Sequence, residues 1–244
     1  MNDDRIQEWT YQRNQQQEDI SLSMLEKYVC QSVVGKELLL KVGIFAGIHG
    51  DEPAGIKAAK ILHRWSLTRP PELDGYELHL YPACNPSGIK ARSRRTAMGF
   101  DLNREFWCGS KIPEVRYLEY ELRRERYDVI ISLHEDDTSH GLYGFVSGHL
   151  LSESILRPAL IAAAEYLSIN ESEIIDGFPS AEGMIKEGYH GVLCAPPEQR
   201  PKALEIVFET PGREPVNEQA VAAAVAVKTM LVEYRKYLAY GENL

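Results

Sequence analysis

The chain has 244 residues, of which 44% are hydrophobic and 26% are charged, a globular composition that excludes a disordered or fibrous protein. At this length one α/β domain is expected, over residues 20–244, after a polar N-terminal arm over residues 1–19. The formal net charge of −9 argues against a nucleic acid or an acidic membrane as the partner, because both are bound by dense positive charge.

Compartment and redox state can be predicted from the same composition. The chain starts with polar and acidic residues and without an apolar stretch, which is the opposite of a secretory signal and favours a cytoplasmic protein. The longest apolar run, residues 38–48, is too short to span a bilayer. The four cysteines are widely scattered without a CxxC pair, so we expect free thiols.

Two β-rich runs open the predicted domain. Residues 28–34 and 38–48 are apolar and β-branched, and they flank a turn centred on Gly35 and Lys36. Two such runs on either side of a short turn predict a hairpin, whose second strand feeds the centre of a sheet.

Strands and helices then alternate along the chain. Pro53 suits the first position of a helix, and apolar residues continue at helical spacing to Trp65. Further strands are predicted over 76–83, 128–133, 143–147 and 203–208, and further helices over 113–127, 152–167 and 216–238. This order predicts a three-layer α/β/α sandwich with a mixed, mostly parallel central sheet, whose ligands bind at the carboxyl ends of the strands.

The predicted strand ends carry a chemically consistent set of side chains. His49 and Glu52 follow one strand in "GIHGDE", His134 follows a second in "SLHED", and Glu209 follows a third in "VFET". Two imidazoles and a carboxylate are the protein ligands of a common catalytic zinc site. Alone, His-x-x-Glu more often closes a strand, and Glu209 alone could be an acid leaving the core. Together they favour a metal site with Glu209 as general base.

A basic stretch lies in this otherwise acidic chain. Residues 86–100 contain four positive residues and no acid, and Arg104 follows shortly afterwards. For Lys90 and Arg92 a solvated loop is the simpler interpretation. Arg104 lies in the partly apolar segment "GFDLNREF", where a planar guanidinium suits bidentate binding of a carboxylate.

These motifs, in this order, resemble the zinc carboxypeptidase family, including its murein peptide amidases and the related succinylglutamate desuccinylases and aspartoacylases. The resemblance spans about residues 43–212 and rests on "GIHGDE", "NPSG", "RRTAMGFDLNREF", "SLHED" and "VFET". It implies a mixed sheet between helix layers, in agreement with the prediction from the pattern.

The resemblance also implies roles for individual residues. His49, Glu52 and His134 are implied to bind one Zn²⁺ ion. Glu209 is implied to activate the water nucleophile and to pass its proton to the leaving amine. Arg94 is implied to polarise the scissile carbonyl.

The residues implied to contact the substrate are less uniform. Asn103 and Arg104 match the pair that holds a substrate carboxylate. Glu105 departs from the family, which usually has Asn there, and it puts a negative charge beside this pocket. Tyr189 is a candidate for the substrate-side tyrosine, and Tyr143 competes with it.

Three functions follow as hypotheses. The first is a zinc metallocarboxypeptidase or peptide amidase that acts on a small carboxylate-bearing peptide. The second is an N-acyl amino acid deacylase of the desuccinylase or aspartoacylase type. The third is a binding module without turnover, which the retention of Glu209 and Arg94 disfavours. The segment "HEDDTSH" offers donors for a second metal, but such segments are mostly solvated, so one ion is expected.

Overall fold

A computed structural model of the chain describes residues 25–31, 39–185 and 193–241. The predicted arm over residues 1–19, the predicted turn at Gly35 and Lys36, and Tyr189 lie outside these ranges. The described strands are β1 (Tyr28–Gln31), β2 (Leu40–Ala46), β3 (Tyr76–Tyr81), β4 (Val129–Asp136), β5 (Tyr143–Val146), β6 (Ile174–Ile175), β7 (Phe178–Ala181), β8 (Met184–Ile185) and β9 (Leu204–Pro211).

Helices begin at the predicted residues 53, 113 and 216, whereas the helix over residues 86–91 was not predicted and the predicted helix over 152–167 is α-helical only from residue 157 to residue 163. The described helices are α1 (Pro53–Ser66), α2 (Pro86–Ala91), α3 (Pro113–Glu125), α4 (His149–Leu151), α5 (Arg157–Ala163) and α6 (Val216–Gly241). A π-helical segment, Ser152–Leu156, joins α4 to α5, and 3₁₀ turns occur at Pro71–Leu73 and Leu102–Arg104. Among the described helices, none has both the length and the apolar character needed to cross a membrane.

The nine strands form a mixed sheet in the order β1-β3-β2-β4-β9-β5-β8-β7-β6. Strands β3, β2, β4 and β9 are mutually parallel, whereas β1 and β5 pair antiparallel with β3 and β9. Because parallel strands end at the same edge of a sheet, β2, β4 and β9 deliver their last residues to one place.

The predicted hairpin between the first two strands is wrong. β1 pairs antiparallel with β3, with Tyr28 opposite Leu80, and does not pair with β2. Both edges of β2 are already occupied, by β3 on one side and β4 on the other. β1 therefore cannot pair with β2, and it joins the sheet at the edge of β3 instead.

Helices cover both faces of the sheet, which confirms the predicted α/β/α sandwich. On one face α1, α5 and α6 pack over the sheet, and alanines of α6 such as Ala222, Ala223 and Ala226 are fully or nearly fully buried there. On the other face α3 contributes Val115 and Leu118 to a second core. Small side chains on α6 let three helices approach one another closely.

Two strands are longer than predicted. β4 continues to Asp136 and β9 to Pro211, so His134 and Glu209 lie within strands and not after them. In the register of β4 and β9, these two residues are directly opposite each other. The sequence pattern ended both strands early because polar side chains replace apolar ones where the sheet meets the site.

The segment after β2 is held close to the segment after β3. Asn85 caps α2 by accepting a hydrogen bond from the Gly88 amide at 2.8 Å, and its side-chain amide donates to the Ile48 carbonyl at 3.2 Å. A Cβ added at Gly50 would lie 2.0 Å from the Gly88 backbone, so glycine is required there. This contact fixes the backbone on both sides of His49.

Candidate active site

Three predicted metal ligands meet at the carboxyl end of the sheet. The Nδ1 atom of His49 lies 2.5 Å from Oε1 of Glu52, and the Nδ1 atom of His134 lies 2.9 Å from Oε2 of the same carboxylate. The two imidazole rings are 5.0 Å apart between centroids, and one ligand atom from each of the three residues lies within 4.8 Å of the others. All three side chains are buried.

The charges of this triad support a cation site. Burial raises the pKa of Glu52, but the hydrogen bonds and charges of His134 and His49 outweigh it and lower the pKa to about 2. Burial lowers the pKa of His49, whereas its bonds to Asp101 and Glu52 raise it by more. Two imidazoles therefore face one ionised carboxylate. A divalent cation can bind between these three side chains.

Two further residues orient the imidazoles, and the sequence analysis did not single them out. The Nε2 atom of His49 lies 3.0 Å from Oδ1 of Asp101, and the Nε2 atom of His134 lies 2.8 Å from Oγ of Ser132. Metal-binding histidines usually bond through the second ring nitrogen in this way. Ser132 could have been found from its position two residues before His134, on the same face of β4.

Glu209 is buried beside the triad. It is 7% exposed, and among the described residues no hydrogen bond or ion pair to its carboxylate is found. Burial raises its pKa to about 8; the charge of His134 opposes this, and the carboxylates of Glu52, Asp136 and Asp176 add to it. A cation at the triad would favour the ionised form of this carboxyl group.

Arg94 reaches the same place from the segment after α2. Its Nε atom donates to Oδ2 of Asp101 at 3.1 Å, and its Nη1 atom lies 3.7 Å from Oε1 of Glu52. The side chain is 47% exposed. The guanidinium therefore lies beside the triad while keeping contact with solvent.

Asn103 and Arg104 are also brought to the site, in different environments. Asn103 is buried; its Oδ1 atom accepts from the Leu193 amide at 3.2 Å, and its Nδ2 atom lies 3.3 Å from Nε2 of His134. Arg104 is exposed at the rim. Glu105 bonds to the hydroxyl of Ser110 at 2.9 Å and does not line the cavity, so its charge does not face the site.

One cavity of about 480 Å³ connects these groups. Besides the triad, it is lined by Arg94, Asn103, Arg104 and Glu209, and on a further side by Glu135, Asp136, Asp137, Tyr143, Asp176 and Phe178. Glu135 accepts a hydrogen bond from the amide of Ala54 at the start of α1, and burial raises its pKa to about 7. Tyr143 lines the cavity, whereas Tyr189 lies outside the described residues.

A second group of potential metal donors lies between β3 and the end of α3, and none of its members lines this cavity. Glu77, His79 and Glu125 come together there, but Lys27 and Lys41 each lie 2.9 Å from Glu125. Burial lowers the pKa of His79, even though Glu77 raises it. The carboxylates are neutralised by lysines, so this group is an ion-pair network.

Comparison with known families identifies the chain. Residues 39–172 match the succinylglutamate desuccinylase/aspartoacylase catalytic domain, a match that spans more than half of the chain and includes the whole triad. The chain belongs to this family. Its members are hydrolases, and this hydrolase domain therefore carries an enzyme active site. The match ends before Glu209.

Solved structures share the fold. A candidate metallopeptidase from Shewanella denitrificans is 24% identical over 91% of this chain and 87% of that one, with a TM-score of 0.69. A metallo-carboxypeptidase from Burkholderia cenocepacia is 14% identical over 97% and 70%, with a TM-score of 0.65. A succinylglutamate desuccinylase from a Silicibacter species is 17% identical over 86% and 60%, with a TM-score of 0.57. No curated protein sequence matches the chain.

Proposed function

We propose that this family member is a metal-dependent metallocarboxypeptidase or peptide amidase that cleaves an amide bond in a small, carboxylate-bearing peptide. The observation that carries the proposal is the buried convergence of His49, Glu52 and His134 beside Glu209. A buried carboxylate that has no partner among the described residues and lies next to a ready set of metal ligands costs stability, which favours a functional role for it.

The triad suits one Zn²⁺ ion. Two imidazoles and a carboxylate are the usual protein ligands of catalytic zinc, and His49, Glu52 and His134 would hold it. When bound, such an ion supplies Lewis acidity and lowers the pKa of a water molecule to about 7.

Glu209 is the general base of the proposed reaction. Its position opposite His134 puts the carboxylate at the edge of the metal group and inside the cavity. It would take the proton of the attacking water and deliver it to the nitrogen of the leaving amine. Proton transfer by a positioned side chain contributes about 100 to 10,000-fold to such a rate.

Arg94 and Arg104 would have different roles in the proposed reaction. Arg94, beside the triad, would stabilise the negative charge that develops on the carbonyl oxygen; losing one such donor typically costs about 3 to 4 kcal/mol in the transition state. Arg104, at the rim and helped by Asn103, would bind the substrate carboxylate. Tyr189 stays a proposed substrate contact.

A second function is favoured by one observation, the family match itself. The matched catalytic domain is that of succinylglutamate desuccinylases and aspartoacylases, which supports an N-acyl amino acid deacylase. The chemistry at the triad would be the same. The two functions differ in the group attached to the acyl side of the scissile amide.

A hydrolysis panel tests both proposals. Zinc-loaded wild-type protein and Glu209→Gln would be assayed on short peptides, murein peptides, N-acetyl-aspartate and N-succinyl-glutamate, with the metal content of each protein measured. We expect wild-type turnover of one class, and a loss of about 100-fold or more in Glu209→Gln at unchanged metal content. Glu205→Gln, on the same strand, is the control. Ligand binding without turnover by both wild type and Glu209→Gln would indicate a binding module.

A further inference from the structure

The helix that follows the first two metal ligands needs a cap from elsewhere in the fold. Within the described residues, Glu52 at the N-cap position of α1 makes no capping hydrogen bond with its side chain. Its two carboxylate oxygens face His49 and His134 instead. Pro53, the first helical residue, has no amide hydrogen, so the amide of Ala54 is the first that needs an acceptor outside the helix.

Glu135 supplies this cap from β4. Its Oε1 atom accepts a hydrogen bond from the amide of Ala54, which is 81 residues away in the chain. A carboxylate at this end of a helix also interacts favourably with the helix dipole. Glu135 directly follows His134 in β4. One hydrogen bond therefore connects the helix that begins after Glu52 to the residue next to His134.

An apolar contact docks the same end of α1 on the same strand. A Cβ added at Gly55 would lie 3.1 Å from the carbonyl oxygen of Leu133 and 3.2 Å from its Cβ atom, so the helix backbone is close to β4 here. Because residues two apart share one face of a strand, Glu135 continues the face that Leu133 presents to α1. The imidazole of His134 is on the opposite face, with Ser132. The start of α1 is thus held at two successive positions of β4.

We propose that Glu135 is a positioning residue of the metal site, which holds the turn carrying Glu52 against the strand carrying His134. Only Pro53 separates Glu52 from Ala54, and its ring fixes one of the backbone angles between them. Fixing the Ala54 amide therefore restricts where Glu52 can lie. This inference rests on the proposed function for the zinc site, and it does not depend on which substrate is cleaved.

The alternative is that the charge of Glu135 acts directly on the metal or the substrate, since this side chain also lines the cavity. Two conservative substitutions separate the two roles. Glu135→Gln keeps the length of the side chain and an acceptor oxygen, but it removes the charge. Glu135→Asp keeps the charge but withdraws the oxygen by about 1.5 Å, the length of one C–C bond, which breaks the contact with Ala54. A positioning role predicts a defect in Glu135→Asp, whereas a charge role predicts a defect in Glu135→Gln.

Zinc affinity, measured by chelator competition, is the first test. We expect Glu135→Asp to bind zinc about tenfold more weakly than wild type, and Glu135→Gln to stay within about threefold of wild type. Glu125→Asp is the matched control, because it makes the same substitution in a carboxylate that joins the end of α3 to Lys41 of β2, outside the cavity. It should lower the stability of the fold and keep wild-type zinc affinity, so a merely structural defect can be recognised.

Hydrogen exchange of the Ala54 amide, measured by NMR on metal-free protein, is the second test. We expect exchange to be at least about tenfold faster in Glu135→Asp than in wild type, because the amide loses its acceptor. Glu135→Gln and Glu125→Asp should both exchange at close to the wild-type rate at this position. This measurement needs neither zinc nor turnover.

The possible results distinguish this inference from the proposed function. Wild-type zinc affinity in Glu135→Asp, an equal loss in Glu135→Gln, or unchanged exchange of Ala54 in Glu135→Asp would each overturn the positioning role while the proposed function stands. A wild-type protein that binds no zinc would overturn both. Weaker zinc binding and faster exchange in Glu135→Asp alone support the positioning role.

Discussion

At the scale of single residues, the orientation of His134 depends on Ser132. The amide of Leu193 donates to Oδ1 of Asn103, which leaves the donor Nδ2 atom of Asn103 facing Nε2 of His134. A metal on Nδ1 would require the proton to be on Nε2, and Asn103 cannot accept it there. The hydroxyl oxygen of Ser132, 2.8 Å from Nε2 of His134, can accept a hydrogen bond from this N–H group.

Removing this acceptor should weaken metal binding. We expect Ser132→Ala, and independently Asp101→Asn at His49, to lower zinc affinity by about 10 to 100-fold. Chelator competition followed by equilibrium dialysis would measure this. Ser139→Ala is the matched control, because Ser139 is a buried serine whose hydroxyl bonds to the Gly141 carbonyl, away from the triad. Equal zinc affinity of Ser132→Ala and wild type would contradict the assignment.

Residue-scale prediction from sequence depended on the type of side chain. His49, Glu52 and His134 could be predicted because imidazole and carboxylate together have a recognisable chemistry at strand ends. Asp101 and Ser132 were not predicted, because a single aspartate or serine in a loop or strand is common and acts here only through its neighbour. For Ser132 the one available signal was its position two residues before His134 on the same strand. Arg104 was expected in a partly apolar context, whereas its side chain is exposed at the rim.

At the scale of elements, periodicity predicted which segments are strands and helices but not which strands pair. The apolar and β-branched residues in 28–34 predict the strand β1. They do not indicate whether β2 or β3 is its neighbour in the sheet. The three short strands β6, β7 and β8 were not predicted, since two of them have only two residues each. Their turn nevertheless delivers Asp176 to the cavity.

Ion pairs at the end of α3 attach this helix to the sheet. Glu125, its last residue, bonds to Lys27 and Lys41 at 2.9 Å each, and Lys41 belongs to β2. Burial raises the pKa of Glu125, but the bonds to Arg124, Lys27 and Lys41 outweigh it and hold the pKa well below its ordinary 4.5. A lowered pKa in the folded state means that ionised Glu125 stabilises the fold above pH 4.5 and loses this effect as the pH falls.

Glu125→Gln should therefore destabilise the protein in a pH-dependent manner. We expect a loss of about 1 to 2 kcal/mol in the free energy of unfolding at pH ~7, and a much smaller loss at pH ~3. Urea denaturation at both pH values would measure it. Glu233→Gln removes a more exposed pair with Lys236 and should cost less than about 0.5 kcal/mol. An equal loss for Glu125→Gln at both pH values would contradict the ion-pair account.

At the scale of the whole molecule, the parallel centre of the sheet makes the site possible. β2, β4 and β9 end at one edge, so residues far apart in sequence meet there with little adjustment. This is why His49, Glu52, His134 and Glu209 could be grouped from sequence alone. Asp176 could not be grouped with them, because it reaches the cavity through a turn that only the folded chain defines.

Zinc titration with elemental analysis tests the central claim most directly. Wild-type protein and the control variant His149→Ala, at an exposed residue, should each bind about one zinc ion per chain. His134→Ala should lose at least about 100-fold in affinity, because one of three protein ligands is gone. Wild-type protein that binds no stoichiometric zinc, or His134→Ala with wild-type affinity, would contradict the claim that His49, Glu52 and His134 hold the metal.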